Sequence, residues 1–441
     1  MASSILWFRR DLRLTDNPAL GAAAKEGAGT VVPLYVVDPT EWDALGVPQQ
    51  AQLSRSLKML SDRIGGLLVL HGDPRDVVPK LAVQSGGATV HAAEDFTPLG
   101  RERDDAVAAS TALVLTGSPY AVTPGRIVKD DGTPYRVFTP FYKAWLEHGW
   151  RGPADSANVD WLVPTGGQPL PDVLPPNAMT LPDAGEEAAL KRWRDYREDD
   201  LSDYADIRNV PGVDRTSRMS IRLAIGEIHP RTMLAELGPD DDAYRRELAF
   251  REFYADILFH YPESATGYYN RSFETMRYDE PDADFEAWKR GETGFPLVDA
   301  GMRQLLAEGW MHNRMRMIVA SFLVKDLHIE WQHGARHFFA NLVDADLASN
   351  QHGWQWVAGC GTDAAPYFRI FNPIIQGKKF DPKGDYIRRY VPELAGLAGE
   401  EIHEPWLLSQ PPEGYPPPLV DHAEERRESL ERYEEIRTPI R

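Results

Sequence analysis

The segment GWMHNRMRMIVASFLVKDLHIEW, residues 309–331, decides how the second half of this chain folds. Its large apolar side chains recur every three or four residues, and beyond Gly309 no Pro or Gly interrupts them, so the pattern predicts one long helix over residues 314–331. One face carries mixed aromatic, amide and cationic side chains: Trp310, Asn313, Arg314 and Met317. The opposite face is apolar: Met311, Met315, Ile318 and Phe322. Both faces require burial, and the arginines therefore predict a buried anionic or polar ligand.

A second segment, DADLASNQHGWQWVAGCGTDAAPYFRIFNP at residues 344–373, also predicts a buried ligand. Its polar side chains Asp344, Asp346 and Asn350 precede two tryptophans, Trp354 and Trp356. Two indoles two residues apart on a helix point about 200° from one another. One indole can then contact a bound ring system while the other faces an opening. The alternative, that both are ordinary core aromatics, stays open at this point.

Length and composition bound the answer. A chain of 441 residues exceeds one typical core, so two domains are expected. The net charge of −19 argues against indiscriminate binding to DNA or to an anionic membrane, although residues 215–222 and 378–389 are locally basic. The sequence has no bilayer-length apolar run and no signal-peptide pattern, so we expect a cytoplasmic protein.

The cysteine and histidine content argues against two kinds of site. Cys360 is the single cysteine, which excludes an internal disulfide and a cysteine-rich metal site. We expect a buried, inert thiol there. The histidines between residues 312 and 352 lack a coherent ligand spacing with acids, so no metal site is expected.

The first 116 residues alternate short β-rich runs with helical ones. The strands are predicted at residues 5–8, 30–37, 67–70, 88–92 and 112–115, and the helices at residues 18–25, 48–64, 74–85 and 101–110. This alternation predicts an α/β domain with a doubly wound, parallel five-stranded sheet. Such sheets bind ligands beyond the carboxyl ends of their strands. The GxGxxG fingerprint is missing, so a nicotinamide cofactor is not supported.

A proline-rich stretch over residues 152–185 marks a domain boundary. Beyond it the periodicity is helical, with helices predicted at residues 188–201, 221–225, 230–237, 242–258, 282–290, 296–308, 314–331 and 335–342. The sequence therefore predicts an α/β domain over residues 1–130, a long connector over residues 131–200 and a larger all-α domain over residues 201–441.

Six stretches together carry a family resemblance. They are WFRRDLRLTDNPAL at 7–20, GTPYRVFTPFYKAW at 132–145, DYADIRNVPGVDRTSRMS at 203–220, RELAFREFY at 246–254, TGFPLVDAGMRQL at 293–305, and residues 309–373. The chain resembles the DNA photolyases of the photolyase/cryptochrome family over essentially its whole length, and among them the class I cyclobutane pyrimidine dimer photolyases. The resemblance implies an antenna-chromophore domain at residues 1–130 and a helical, FAD-binding catalytic domain at residues 201–441.

The resemblance also implies which residues hold FAD. The residues that match family positions around the flavin nucleotide are Tyr204, Thr216, Ser217, Arg218, Met219, Ser220, Arg251, Trp310, Asn313, Arg316, Asp344, Asp346 and Asn350. Hydroxyls and backbone amides at a helix start suit phosphate oxygens. A carboxylate and an amide near the ring would tune the reduced flavin.

The implied reaction is the light-driven splitting of a cyclobutane pyrimidine dimer, which leaves the DNA stack and enters a pocket where reduced FAD donates an electron. The implied catalytic residues are Glu247, Met317, Asn350 and Trp356. The implied DNA contacts are Glu247, Phe250, Asn313, Arg314, Trp356 and Arg369. Phe250 stands where bacterial members usually have a second stacking tryptophan, so affinity for the lesion is expected to be lower.

Two further features follow from the resemblance. Trp354 and Trp331 match the inner two members of the family's electron-hopping chain, and Tyr278 stands at its outermost position. The segment DFTPLGRER at residues 95–103 resembles members that bind 8-hydroxy-5-deazaflavin as antenna, with methenyltetrahydrofolate as the alternative.

The subclass depends on three positions. Family members that repair the (6-4) photoproduct carry histidines where this chain has Asn313 and Met317, so cyclobutane dimers are the expected substrate. Plant-type cryptochromes carry an acid at the position of Asn350, so the amide favours repair over signalling. A cryptochrome-like blue-light photosensor without repair activity is the alternative. We expect a monomer that binds damaged DNA and no membrane.

Overall fold

The N-terminal part of the chain forms a parallel sheet. The computed structural model describes residues 4–176 and 179–437. Five strands lie in the order β3-β2-β1-β4-β5: β1 (Ser4–Phe8), β2 (Thr30–Val37), β3 (Leu68–His71), β4 (Val90–Ala92) and β5 (Leu113–Leu115). The predicted five-stranded parallel sheet is confirmed. A sixth strand, β6 (Asp160–Trp161), pairs with β2 and was not predicted, because two residues carry no periodicity.

Both faces of the sheet are covered by helices: α1 (Pro18–Glu26), α2 (Pro39–Ala44), α3 (Val47–Ile64), α4 (Pro74–Gln84) and α5 (Pro98–Ala108). Most begin with a side-chain cap followed by proline in the first turn, as where Asn17 accepts a hydrogen bond from the Leu20 amide. In β1, Leu6 and Phe8 pack on the core that contains α1 and α3, whereas Ile5 and Trp7 pack on the core that contains α4. The period-two alternation of β1 thus fills two cores.

The rest of the chain is helical apart from β6. Its helices are α6 (Phe138–His148), α7 (Glu186–Asp199), α8 (Tyr204–Ile207), α9 (Met219–Ile225), α10 (Pro230–Leu234), α11 (Asp242–His260), α12 (Ala283–Arg290), α13 (Pro296–Glu308), α14 (Asn313–Lys325), α15 (Trp331–Asn341), α16 (Leu347–Ala358), α17 (Pro373–Phe380), α18 (Asp385–Tyr390) and α19 (His422–Arg437). The large helical domain is confirmed. The assignment of domain boundaries at residues 130 and 200 stays a prediction.

The prediction of one helix over residues 314–331 is wrong. The segment forms α14 and α15, and between them His328 adopts a left-handed φ of 52°. The Leu327 amide donates to the Phe322 carbonyl at 3.0 Å, and the Ile329 amide donates to the Leu323 carbonyl at 3.1 Å. The turn also has partners on α19, because His422 hydrogen-bonds Asp326 and Glu425 hydrogen-bonds His328. Partners almost a hundred residues away are invisible to local periodicity.

The two faces of the segment that begins α14 differ in burial, whereas the sequence predicted that both would be buried. Met311, Met315, Ile318 and Phe322 are fully buried in the main helical core. On the other face Trp310 is buried, Arg314 and Met317 are half-buried, and Asn313 is exposed. The start of α14 therefore lies at the boundary between the core and the surface. None of the helices in the described part of the chain is both long and apolar enough to cross a membrane.

Glu252 on α11 joins the helical domain to residues from the end of the α/β domain and from the connector. Its buried carboxylate accepts hydrogen bonds from the Trp145 indole at 2.6 Å, from the Val122 amide at 3.1 Å and from the Ala121 amide. Burial raises the pKa of Glu252 to about 7, and the three donors oppose that rise. Because all three neighbours donate, two acceptor oxygens are needed at this position.

Replacing this carboxylate should destabilise the protein although the shape is kept. In Glu252→Gln the amide nitrogen would face a donor and leave at least one buried N–H unpaired, which should lower the free energy of unfolding by about 1–3 kcal/mol. Urea unfolding followed by circular dichroism measures the change. The exposed Glu263→Gln is the matched control. Equal midpoints for the two variants would contradict the assignment.

Candidate active site

Many of the predicted site residues lie on α16 or on helices that pack against it. Helices α11, α14 and α15 all pack against α16. Glu247, Phe250 and Arg251 lie on α11, and Asn313 to Met317 begin α14. The packing therefore brings residues separated by about a hundred positions into one region.

His312 caps α14 and feels the charge of three arginines. Its Nδ1 accepts a hydrogen bond from the Arg314 amide at 3.1 Å, so Nε2 carries the proton of the neutral ring. Burial, together with the guanidiniums of Arg314, Arg316 and Arg218, lowers the pKa of His312 to about 4. Nε2 has no hydrogen-bond partner among the described residues. A neutral imidazole in the field of three cations fits an anionic ligand such as a nucleotide.

Two of these arginines are held in place by acids. Arg316 donates to both oxygens of Asp344 at 2.8 and 3.0 Å, and its Nε donates to the Met311 carbonyl at 2.9 Å. Arg218 lies over the Trp310 indole at 4.3 Å and pairs with carboxylates on two neighbouring segments. The cations are therefore positioned before any ligand binds, which reduces the cost of binding.

Asp346 caps α16 and pairs with the α/β domain. One of its oxygens accepts a hydrogen bond from the Ser349 amide at 3.0 Å, and the other pairs with Arg10 at 2.5 Å. Burial alone would raise the pKa of Asp346, but Arg10 and Arg251 outweigh it and hold that pKa well below its usual range. Sequence reasoning missed Arg10, although it lies in the motif WFRRDLRL at residues 7–14.

The segment before α9 presents the predicted hydroxyls. Arg192 donates to the Thr216 carbonyl at 2.7 Å and to the Ser217 carbonyl at 3.1 Å, and Arg218 has a left-handed φ of 54°. The Ser217 hydroxyl accepts a hydrogen bond from Tyr244 at 2.8 Å. Ser220 is exposed, Met219 is buried, and the ring of Tyr204 packs edge-on against Tyr244. Nothing in the sequence singled out Arg192, because arginines on a charged helix are common.

Two of the residues predicted to hold the lesion have partners that the sequence did not reveal, one through an ion pair and one through a hydrogen bond to an amide. Glu247 pairs with Arg208 at 2.6 Å, and both side chains are 30% exposed. Arg314 donates to the Asn209 side chain at 2.7 Å and lies over the Phe380 ring. Arg208 and Asn209 both belong to the motif at residues 203–220. That motif therefore supplies side-chain partners for Glu247 and Arg314.

The remaining pocket residues differ in exposure. Trp356 and Met317 are half-buried against the main helical core, whereas Phe250 stacks on Phe138 with ring centroids 3.4 Å apart in a different core. The Asn350 side-chain amide donates to the Ala335 carbonyl at 3.1 Å. Arg369 is exposed on the loop that follows α16. The two predicted aromatic contacts, Trp356 and Phe250, therefore pack against different cores.

The two indoles of α16 point in different directions, as predicted. Trp354 is buried edge-on against Phe338, with centroids 4.9 Å apart, whereas Trp356 is half-buried. A Cβ atom at Gly334 would lie 2.1 Å from Cη2 of Trp354, so only glycine lets α15 approach this indole. Trp331 is fully buried at the start of α15, and Tyr278 is half-buried against the same core.

Comparison with known proteins identifies the family. Residues 4–159 match the family model described as DNA photolyase, and residues 244–435 match the one described as the FAD binding domain of DNA photolyase. The chain belongs to the DNA photolyase family. It therefore carries an FAD-binding domain, in the half that holds α11, α14 and α16.

Full-length relatives agree with this assignment. A deoxyribodipyrimidine photo-lyase of Agrobacterium fabrum is 39% identical, over 99% of this chain and 98% of that protein. A class III photolyase from Agrobacterium tumefaciens superposes with a TM-score of 0.91 at 37% identity, covering 99% and 98% of the two chains. Membership of class I therefore stays a prediction.

Two more distant structures share the fold of this photolyase family member. An archaeal photolyase from Sulfolobus tokodaii with two FAD molecules has a TM-score of 0.88 at 28% identity, covering 98% and 100% of the chains. A cryptochrome from Synechocystis sp. PCC6803 has a TM-score of 0.87 at 29% identity, covering 98% and 99%. The fold alone thus serves both repair enzymes and cryptochromes.

The buried state of His312 has a measurable pH signature. The pKa of His312 lies near 4, below its ordinary value of 6.5, so its contribution to stability is fully present above pH 6.5 and is lost as the pH falls towards 4. His312→Asn keeps a helix-capping acceptor but cannot titrate. Relative to this variant, the wild-type protein should lose roughly 1.4 kcal/mol of unfolding free energy per pH unit in that window.

Urea unfolding of both proteins between pH 8 and pH 4 tests this expectation. His148→Asn, at an exposed histidine, is the matched control and should follow the wild-type profile. Parallel profiles for wild type and His312→Asn would show that the ring is not held neutral in the folded protein.

Proposed function

We propose that this chain is a light-driven DNA repair enzyme that splits cyclobutane pyrimidine dimers. The observation that carries the proposal is the position of the pocket side chains at the start of α14 and on α11 and α16. Asn313 is exposed there, and Glu247, Met317 and Trp356 are half-buried beside a cation-rich interior. Full-length similarity to deoxyribodipyrimidine photo-lyases supports the same reaction.

The residues of the cation-rich interior fit FAD. The hydroxyls of Thr216, Ser217 and Ser220 suit an anionic diphosphate. The guanidiniums of Arg218 and Arg316 are paired with carboxylates and would contribute only the N–H donors that these partners leave free. Tyr204, Arg251, Trp310, Asn313, Asp344, Asp346 and Asn350 complete the proposed set. When bound and reduced, FAD supplies the electron that light transfers to the dimer.

The protein side chains recognise and hold the dimer. We assign Trp356 as the flat wall, Asn313 and Arg314 as partners of the pyrimidine carbonyls, and Glu247 as the hydrogen-bonding partner of the base edge. Met317 and Phe250 add apolar contact. Because a dimer pairs poorly with the opposite strand, taking it out of the stack costs less than flipping an intact base.

His312 supports cyclobutane dimers over the (6-4) photoproduct. Asn313 and Met317 cannot donate a proton as histidines would, and His312 points its acceptor nitrogen at the Arg314 amide. Because its pKa lies near 4, the ring is neutral at pH 7 and is a poor proton donor to substrate. The pocket therefore suits a reaction that needs electron transfer without a histidine acid.

We assign the contacts with DNA phosphates to exposed lysines and arginines that form no salt bridge. The basic segment at residues 215–222 does not serve, because Arg215, Arg218 and Arg222 each pair with a carboxylate. Arg369, Lys379, Lys383 and Arg389 are exposed and form no salt bridge with the described residues. Phosphate contacts through these side chains would release counterions, so affinity should fall with salt.

A second chromophore site fits the carboxyl ends of the strands. The segment at residues 95–103 begins α5 there, and Arg103 lies over the Trp7 ring and pairs with Asp95, Asp104 and Glu41. We propose 8-hydroxy-5-deazaflavin as the antenna, with methenyltetrahydrofolate as the alternative. The archaeal photolyase with two FAD molecules supports a second site in this fold. Absorption and mass spectra of the released chromophore decide between the candidates.

Removing the Glu247 carboxylate should impair repair without unfolding the protein. Glu247→Gln leaves Arg208 unpaired, but both side chains are partly exposed, so the effect on stability should be small. Weaker hydrogen bonding to the dimer should lower repair per absorbed photon by about tenfold. A dimer-splitting assay under blue light measures this, with the exposed Glu263→Gln as control. Unchanged repair would remove Glu247 from its role, and a wild-type protein that splits no dimers would favour the photosensor.

Trp354 should affect reduction of FAD and spare repair. Because Trp354 is the proposed first electron donor, Trp354→Phe should slow light-driven reduction of oxidised FAD by at least about tenfold. Repair by chemically reduced enzyme should stay near wild type. Trp288→Phe is the matched control, since its buried indole packs edge-on against Trp354 outside the proposed relay. If repair and reduction fall together in Trp354→Phe, the residue serves the pocket instead.

A further inference from the structure

A phenol and a carboxylate form a hydrogen-bonded pair beside Trp331. Tyr268, in the segment after α11, is buried, and its hydroxyl donates to Oε1 of Glu330 at 2.6 Å. Glu330 is the residue before Trp331 and is half-buried, so its carboxylate connects the buried phenol with solvent. The pair thus lies between the core and the surface.

The ring of Tyr268 also contacts the indole of Trp331. The two rings meet edge-on, with centroids 6.1 Å apart and planes at 83°. The proposed relay passes through Trp331, which is fully buried. An electron can therefore pass from the Tyr268 ring to Trp331 across direct van der Waals contact.

The chemistry of phenols makes the carboxylate decisive. A phenol that loses an electron becomes a strong acid, and it can lose that electron to an indole radical cation only if its proton has an acceptor. Before the step, the buried region holds a radical cation on Trp331 and an anion on Glu330. After electron and proton have moved, both residues are neutral, which removes two charges from a low-dielectric interior.

Tyr278 lacks this arrangement. Its hydroxyl is buried and has no hydrogen-bond partner among the described residues. Burial raises the pKa of Tyr278 and that of Tyr268 well above the ordinary value, so the hydrogen bond from Tyr268 to a carboxylate, and not the pKa, separates the two phenols. Position in the family's chain favoured Tyr278, but the local geometry favours its neighbour.

We propose that Tyr268, with Glu330 as proton acceptor, is the electron donor to Trp331 during light-driven reduction of oxidised FAD. One electron moves from Tyr268 to the Trp331 radical cation, the phenolic O–H bond breaks, and the proton bonds to Oε1 of Glu330. The products are neutral tryptophan, a neutral phenoxyl radical and a carboxylic acid. The oxidant is photoexcited FAD, which takes its electron through Trp354, so this inference rests on the proposed function.

Flash photolysis of the FAD-loaded protein tests the assignment with three conservative variants. In the wild type, the tyrosyl radical should appear as the tryptophan radical decays, more slowly in deuterium oxide than in water. Tyr268→Phe keeps the ring but should abolish the tyrosyl spectrum and prolong the tryptophan radical by at least about tenfold. Glu330→Gln should slow the step and weaken its isotope effect. Tyr278→Phe removes the rival phenol and should still form the tyrosyl radical as the tryptophan radical decays.

Several outcomes would overturn the assignment. A tyrosyl radical that persists in Tyr268→Phe and vanishes in Tyr278→Phe would assign the role to Tyr278. Absence of a tyrosyl signal in the wild type, by absorption and by electron paramagnetic resonance, would exclude both phenols. The FAD absorption spectrum and thermal midpoint of each variant check folding.

A repair assay with chemically reduced enzyme tests the proposed repair function independently of the Tyr268 assignment. Chemically reduced Tyr268→Phe should repair dimers as well as the wild type, because the relay is then bypassed. A wild-type protein that forms the tyrosyl radical but splits no dimers would overturn the repair function and leave the Tyr268 assignment standing.

Discussion

The ion pair between Arg10 and Asp346 fixes the helix on which the site depends. Arg10 follows β1 in the α/β half, and Asp346 caps α16 in the helical half. The carboxylate is buried, so separating the pair would leave an uncompensated charge in the interior at a cost of several kcal/mol. Helix α16 carries Asn350, Trp354 and Trp356, and the α/β half therefore sets the position of residues that it does not contain.

The sequence predicted elements whose causes are local and missed those whose causes are distant. Alternating apolar runs, side-chain caps and early prolines predicted the sheet and most helices. The break at His328 has partners on α19, and the partners of Glu247 and Arg314 come from residues 208 and 209. The sequence predicted burial for the face that carries Trp310 and Asn313, but Asn313 is exposed. Periodicity reports which face is buried, whereas ion pairs are set by tertiary contacts.

Local charge in the sequence was a poor guide to surface charge. The segment at residues 215–222 contains Arg215, Arg218 and Arg222, yet each guanidinium is neutralised by acids supplied from elsewhere. Within the segment at residues 378–389, Lys378 pairs with Glu404 and Arg388 with Asp385. With a net charge of −19, few cations stay available for phosphate. Those few therefore determine where a polyanion can approach an acidic protein.

The aromatic core reconciles two opposing physical requirements. Trp354 and Trp331 are buried, which would keep water away from radical intermediates of the proposed relay, and Gly334 lets the helices that carry them pack closely. A dry interior also raises the free energy of any positive charge. A chain of tryptophans that ended inside the core would therefore leave a radical cation there at high free energy. A phenol paired with a half-buried carboxylate solves this problem at the edge of the core. In the proposed step the oxidised residue becomes a neutral phenoxyl radical on Tyr268, and Glu330 passes the proton to solvent. No positive charge then remains buried in the core.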